Sequence, residues 1–271
     1  MQENTLLEAV LKRDRIFLIG GLVIIILLSW IYILAGAGMD MNAMEMSNMT
    51  THKGMGEMMP MMGAAVWSPS YAIMMFFMWW IMMVAMMLPS ASPTILLFAL
   101  VSRKNYHQNN SILPTSLFAW GYLVSWGFFS LIATALQWWF ESVGWLTPML
   151  SSSNTIFGGI LLILAGVYQL TPIKRACLKH CRNPIHFLSD HWHSGNFGAF
   201  RMGVFHGFYC LACCWFLMGL LFVGGVMNLY WIAGLAIYVL IEKTIPTGHW
   251  FGILTGIALS TWGIWMLFFN V

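Results

Sequence analysis

From Ile16 to Ala35 the chain runs twenty residues without one charged side chain. At ~1.5 Å per residue a helix of that length crosses the ~30 Å hydrocarbon core of a bilayer. Backbone in lipid has no water to bond, so a helix is the form that satisfies its N–H and C=O groups. The pattern returns at Tyr71–Val101, Ser116–Phe140, Asn154–Leu170, Ala199–Met227, Leu229–Ile245 and His249–Phe269. Only 8% of the 271 residues are charged, against about 25% in soluble domains. The sequence therefore predicts an all-α polytopic membrane protein of about seven transmembrane helices. Pro89 and Pro93 interrupt the second apolar run and predict a kinked span, because proline removes a helix hydrogen bond. Ala35-Gly36-Ala37 has the small residues of a signal-cleavage site, but the apolar run exceeds a usual signal core and reads as a retained helix.

Charge sets the expected orientation. With the N-terminus inside, eleven of the twelve Lys and Arg fall on the cytoplasmic side and Lys53 alone falls outside, as the positive-inside rule requires. The C-terminus is then outside, in a plasma (inner) membrane. Topology accounts for the net charge of +3, and neither a DNA-reading motif nor a phosphate-binding Gly loop appears, so nucleic acid is not an expected partner. Three parts follow: residues 1–35, tail and first helix; 36–69, a Met-rich extracytoplasmic loop; and 70–271, a six-helix membrane metal-binding domain.

Sulfur and imidazole are concentrated in three zones. In the span that begins at Ala199, His206, Cys210, Cys213 and Cys214 lie on one helix face by i+3 and i+4 spacing. Such a stripe suits Cu(I) or zinc, and Cys210-x-x-Cys213 also suits a dithiol redox pair. Ordinary packing of small apolar thiols is the alternative. One helix face cannot close a tetrahedral site, so other segments must contribute. The cytoplasmic loop offers Cys177, Cys181 and His180, the two Cys sharing a face if a short helix forms. His186, His191 and His193 follow, as metal ligands or as solvated side chains.

The outer zone is the most skewed: 23 of 271 residues are Met, and the loop carries Met41, Met44, Met46, Met49 and His52 at M-x-M and M-x-x-M spacings. Thioethers are soft, uncharged ligands, which points to copper. Met74, Met78, Met82 and Met86 then recur every four residues along the kinked span, as a thioether path or as gap-filling core. Glu242-Lys243 ends the sixth span, either as a snorkelling pair or as charge for an inner site. Gly158, Gly159, Gly224, Gly225, Gly252 and Gly256 predict close helix approach.

Four runs carry a resemblance: W-I-M-M-V-A-M-M-L-P (80–89), Y-Q-L-T-P-I-K-R-A-C-L-K-H-C-R-N-P (168–184), H-G-F-Y-C-L-A-C-C-W-F-L-M (206–218) and E-K-T-I-P-x-G (242–248). Together they resemble the predicted metal-binding integral membrane proteins, a family without an established activity. Ala212 stands where the family pattern has glycine, and the Met-rich loop is not part of that pattern. The resemblance implies a polytopic protein that binds metal, and it favours Cys177, Cys181, His206, Cys210, Cys213 and Cys214 as ligands over packing.

The leading expectation is a copper-handling membrane protein that captures Cu(I) outside and holds it at an inner thiol and imidazole site, as transporter, store or donor to a neighbouring copper enzyme. Two alternatives stand beside it. One is a non-catalytic accessory subunit of a larger membrane complex, such as a copper membrane monooxygenase or oxidase. The other is a thiol-disulfide redox protein relaying through Cys177 and Cys181. Zinc is the alternative metal. Haem, between His206 and His249, is the weakest option.

Overall fold

The computed structural model describes residues 2–38, 42–45, 47, 67–106, 112–146, 150–152, 154–245 and 248–269. The described residues form ten helices: α1 (Gln2–Leu34), α2 (Pro69–Tyr106), α3 (Ile112–Ser142), α4 (Thr155–Leu170), α5 (Pro172–Arg182), α6 (Pro184–Asp190), α7 (Gly195–Gly219), α8 (Leu221–Gly224), α9 (Leu229–Thr244) and α10 (Gly248–Phe269). An isolated bridge between Leu146 and Ser152 is the β pairing among them. The all-α expectation holds.

Among the described residues five stretches are long and apolar enough to cross a membrane: Ile16–Leu34, Pro69–Arg103, Ile112–Ser142, Gly195–Gly224 and Trp250–Phe269. Helices α4 and α5, bent by 65° at their junction, make a sixth if they count as one broken span. The reading of seven spans thus meets five or six, and the shortfall lies in α4 and α9. Each has 16 residues, a run of ~24 Å against a ~30 Å core. Chemistry explains the break after α4. Thr171 accepts a hydrogen bond from the Lys174 N–H at 3.3 Å and Pro172 occupies the first helical turn, so a new helix is capped and redirected there.

Tryptophan and tyrosine side chains fix the register of the central pair. The indole N–H groups of Trp67, Trp79 and Trp80 donate to Glu141 Oε2 (2.7 Å), Gln137 Oε1 (2.8 Å) and the Leu123 carbonyl (2.9 Å), so α2 and α3 run antiparallel. Helices α3 and α7 run parallel and nearly touch. A Cβ on Gly203 would collide with the Phe118 carbonyl, and one on Gly207 would lie 2.6 Å from the Ser125 side chain. Ser125 Oγ closes the contact by donating to the Val204 carbonyl at 3.0 Å. Helices α4 and α10 pair antiparallel through Gly159, Gly166, Gly256 and Gly263, the close approach expected of glycine in such spans. Gly225 serves differently, turning the chain after α8 at φ +96°.

Burial ranks the helices. The apolar stretches of α2 and α7 are about half buried, whereas those of α1 and α10 are mostly exposed. So α2 and α7 are the inner helices, while α1 and α10 present Ile16, Phe17, Ile24, Leu254 and Phe268 outward. Helix α2 passes through both prolines without ending. Ser90 and Ser92 hydroxyls, at 2.8 Å, bond the Met87 and Leu88 carbonyls beside Pro89.

Candidate metal centre

Helix α7 turns one face inward, and that face carries the expected stripe. His206, Cys210, Cys213 and Cys214 are all buried, none more than 2% exposed. Opposite them, the helix started by Thr171 and Pro172 places Cys177 and Cys181 one turn apart and half-buried. The Cys181 thiol lies close to those of Cys210 and Cys213, and the Cys214 thiol lies close to the same two. Four thiols from two helices therefore form one network, with Cys177 beside Cys213. Within α7, the Cys213 and Cys214 thiols also bond the Cys210 carbonyl at 3.0 and 2.9 Å. All five cysteines are free.

Two polar groups enter this network from other helices. Lys243, in the last turn of α9, donates from Nζ to Cys210 Sγ at 2.9 Å and to Ser90 Oγ at 3.2 Å. Tyr122 of α3 places its hydroxyl 3.1 Å from Cys210 Sγ and donates to the Met87 carbonyl at 3.2 Å. Glu242 and Lys243 do not pair with each other. Glu242 takes Lys174 at 2.7 and 2.9 Å in a buried bidentate contact, and the Tyr238 hydroxyl adds a third bond at 3.2 Å. Arg182 holds the Glu242 carbonyl. Among the described residues no carboxylate pairs with Lys243, and its ammonium faces sulfur and hydroxyl.

His206 lies one turn before Cys210. Its ring sits among Phe118, Tyr122 and Phe187, with centroids 6.0, 5.8 and 5.2 Å away. Its Nδ1 is buried without a hydrogen-bond partner. A buried unsatisfied ring nitrogen costs ~1–3 kcal/mol, a cost that coordination to a metal would remove.

The other candidates separate. His180 stacks flat on Tyr209 at 4.5 Å, with Nδ1 3.0 Å from the Ala176 carbonyl, and so joins an aromatic group. His186 pairs with Asp190 at 2.7 Å on the exposed side of α6. Met82 and Met86 are fully buried, as are Met75, Met78, Met83 and Met87. The four-residue ladder Met74, Met78, Met82, Met86 continues to Ser90, the residue that bonds Lys243. At its other end the Met74 sulfur lies against Gly38, at the root of the Met-rich segment. Within that segment Met44 is 54% exposed, while Ala43 and Ser47 are buried. Ser47 Oγ accepts from the Leu229 N–H at 2.8 Å, tying the segment to the start of α9. Met41, Met46, Met49 and His52 lie outside the described residues, as does the His249 side chain.

Among the described residues no three His, Cys, Asp or Glu side chains stand as a finished metal cage. The Cys213 and Cys214 thiols bond the Cys210 carbonyl instead. Two-coordinate Cu(I) asks for less, since a pair of thiolates suffices and soft sulfur selects it. Sequence reading did not single out Tyr122 or Ser90. Ser90 was findable, because it extends the Met ladder by one more step of four.

Residues 76–266, most of the chain, match the family model described as PpoB2, a copper chaperone. No curated protein and no solved structure matches the chain. The matched region takes in the thiol network, Tyr122, Lys243 and nearly all of the buried Met ladder. The chain belongs to the PpoB2 copper chaperone family.

Proposed function

We propose that this protein is an integral membrane copper chaperone that holds Cu(I) between α5 and α7 and passes it to a copper enzyme. The observation that carries the reading is the network of Cys181, Cys210, Cys213 and Cys214 with Lys243 against it. Cu(I) bound by two thiolates carries a net charge of −1. The Lys243 ammonium neutralises it inside the bundle, where an unpaired charge is costly. His206 Nδ1 is the neighbouring nitrogen donor.

The same reading orients the molecule. The N-terminus is cytoplasmic, seven helices cross with α9 as a short span, and the Met-rich segment faces the extracytoplasmic side. Cu(I) taken up there by thioethers descends the Met74–Met86 ladder. The step is ~6 Å per four residues, and the ladder ends beside Ser90, Lys243 and Cys210. Competition between purified protein and a coloured Cu(I) chelator tests the site. Wild type takes copper from the chelator, and a Cys210→Ser/Cys213→Ser variant leaves it there. Equal retention by both would remove the thiol site from the account. Copper-independent trapping of a Cys210–Cys213 disulfide would favour the redox reading instead.

A further inference from the structure

Beside the thiol network lies a cavity of ≈ 400 Å³ lined by Arg175, Lys179 and Arg182 of α5 and by Lys243, Thr244 and Ile245 where α9 ends. Four of its walls are cationic and none is acidic. Glu242, the nearby carboxylate, is turned away into its bidentate contact with Lys174. Leu178 and Ile245 are its large apolar side chains, and its four cations set the charge an occupant must carry. The cavity therefore suits a small, water-borne polyanion. Its inner wall, Lys243, touches Cys210 Sγ at 2.9 Å, so an occupant lies one ammonium away from the thiols.

We propose that this cavity is the docking site for a small carboxylate-bearing thiol that carries Cu(I), and that copper crosses between carrier and protein there by thiolate exchange. The inference rests on the thiol network being the copper site. The carrier complex, one Cu(I) with two thiolates and free carboxylates, is anionic at both ends. Its carboxylates meet Arg175, Lys179 and Arg182, and its metal end meets Lys243. Each Cu–S bond to the carrier breaks as one to a Cys181, Cys210, Cys213 or Cys214 sulfur forms. The proton of each protein thiol leaves with the released carrier thiol. Copper stays Cu(I), so no oxidant or reductant is consumed, and the reverse sequence unloads the protein. Guanidinium is the fitting cation for two of the three outer positions, because its planar fork binds carboxylate bidentately.

The test compares loading rates in nanodiscs of zwitterionic lipid, with Cu(I)–glutathione as the anionic donor and Cu(I)–acetonitrile as the donor without carboxylates. The Arg175→Gln/Lys179→Gln variant is expected to load from Cu(I)–glutathione at least tenfold more slowly than wild type. Its final occupancy is expected to be unchanged, and its rate from Cu(I)–acetonitrile, a cationic complex, is expected to be no slower than wild type. Raising salt should slow wild type toward the variant, as screening weakens steering of a charged ligand. The charge-preserving Arg175→Lys/Lys179→Arg variant should recover most of the rate. Equal rates for wild type and the Gln variant from Cu(I)–glutathione would overturn the proposal. So would loss of wild-type loading from Cu(I)–glutathione alone when anionic phospholipid replaces the zwitterionic lipid, since a lipid headgroup would then own the cavity. Absent final occupancy in wild type from either donor would instead strike the thiol site itself.

Discussion

Replacing Lys243 by methionine separates charge from packing at the thiol network. Methionine keeps the length and the apolar stem but removes the ammonium that sits 2.9 Å from Cys210 Sγ. The copper-free bundle should tolerate this, since a buried lysine without a carboxylate partner gives way to a side chain that needs none. The copper-bound state should not. A bisthiolate Cu(I) centre of charge −1 at ~4 Å from an ammonium is stabilised by about 4 kcal/mol at an effective dielectric near 20, roughly a factor of a thousand in affinity. Tyr122 and Ser90, both at the site, recover part of that by turning their hydroxyls, so a weakening of ~100-fold to ~1000-fold is the expected range. Chelator competition over several chelator strengths measures it, with thermal unfolding of the copper-free variant as a control. Wild-type Cu(I) affinity in a folded Lys243→Met variant would refute the charge argument.

Other consequences follow from the same contacts. Glu242→Gln leaves Lys174 buried without its counter-ion and should cost about 3–5 kcal/mol of stability; Lys174→Met/Glu242→Leu should unfold closer to wild type than either single change, read by thermal denaturation in detergent. Met82→Leu/Met86→Leu nearly conserves volume and should shift stability by less than about 1.5 kcal/mol, yet it should slow copper transfer from the Met-rich side to the thiols, because it breaks the thioether ladder at two rungs. Gly203→Leu drives a side chain into the Phe118 carbonyl and should separate α3 from α7, lowering yield of folded protein and carrying Tyr122 away from Cys210.

Much of this architecture was legible in the sequence because the two signals it uses are local. Apolar length names a spanning helix, and i+4 spacing names a face, so the Cys stripe of α7, the Cys177/Cys181 turn and the buried Met ladder were all readable. The limits were long-range. Nothing in the chain order says that Cys181 meets Cys210 and Cys213, because α5 reaches α7 through the bend at Thr171 and Pro172. Adjacent residues were also misleading. Glu242 and Lys243 read as one pair, yet consecutive residues on a helix point ~100° apart, and each finds its partner on a different helix. Crowding of histidine likewise says nothing of ring placement: the geometry of α5 sets His180 flat on Tyr209.

Copper bound by the protein is expected on the sulfurs of α5 and α7. Copper K-edge absorption of the protein loaded with one Cu(I), recorded for wild type and for Cys210→Ser/Cys213→Ser, tests it most directly. Wild type is expected to show copper bound mainly by sulfur, and the variant to lose that sulfur coordination. A shell dominated by nitrogen or oxygen in wild type, or an unchanged sulfur shell in the variant, would contradict it.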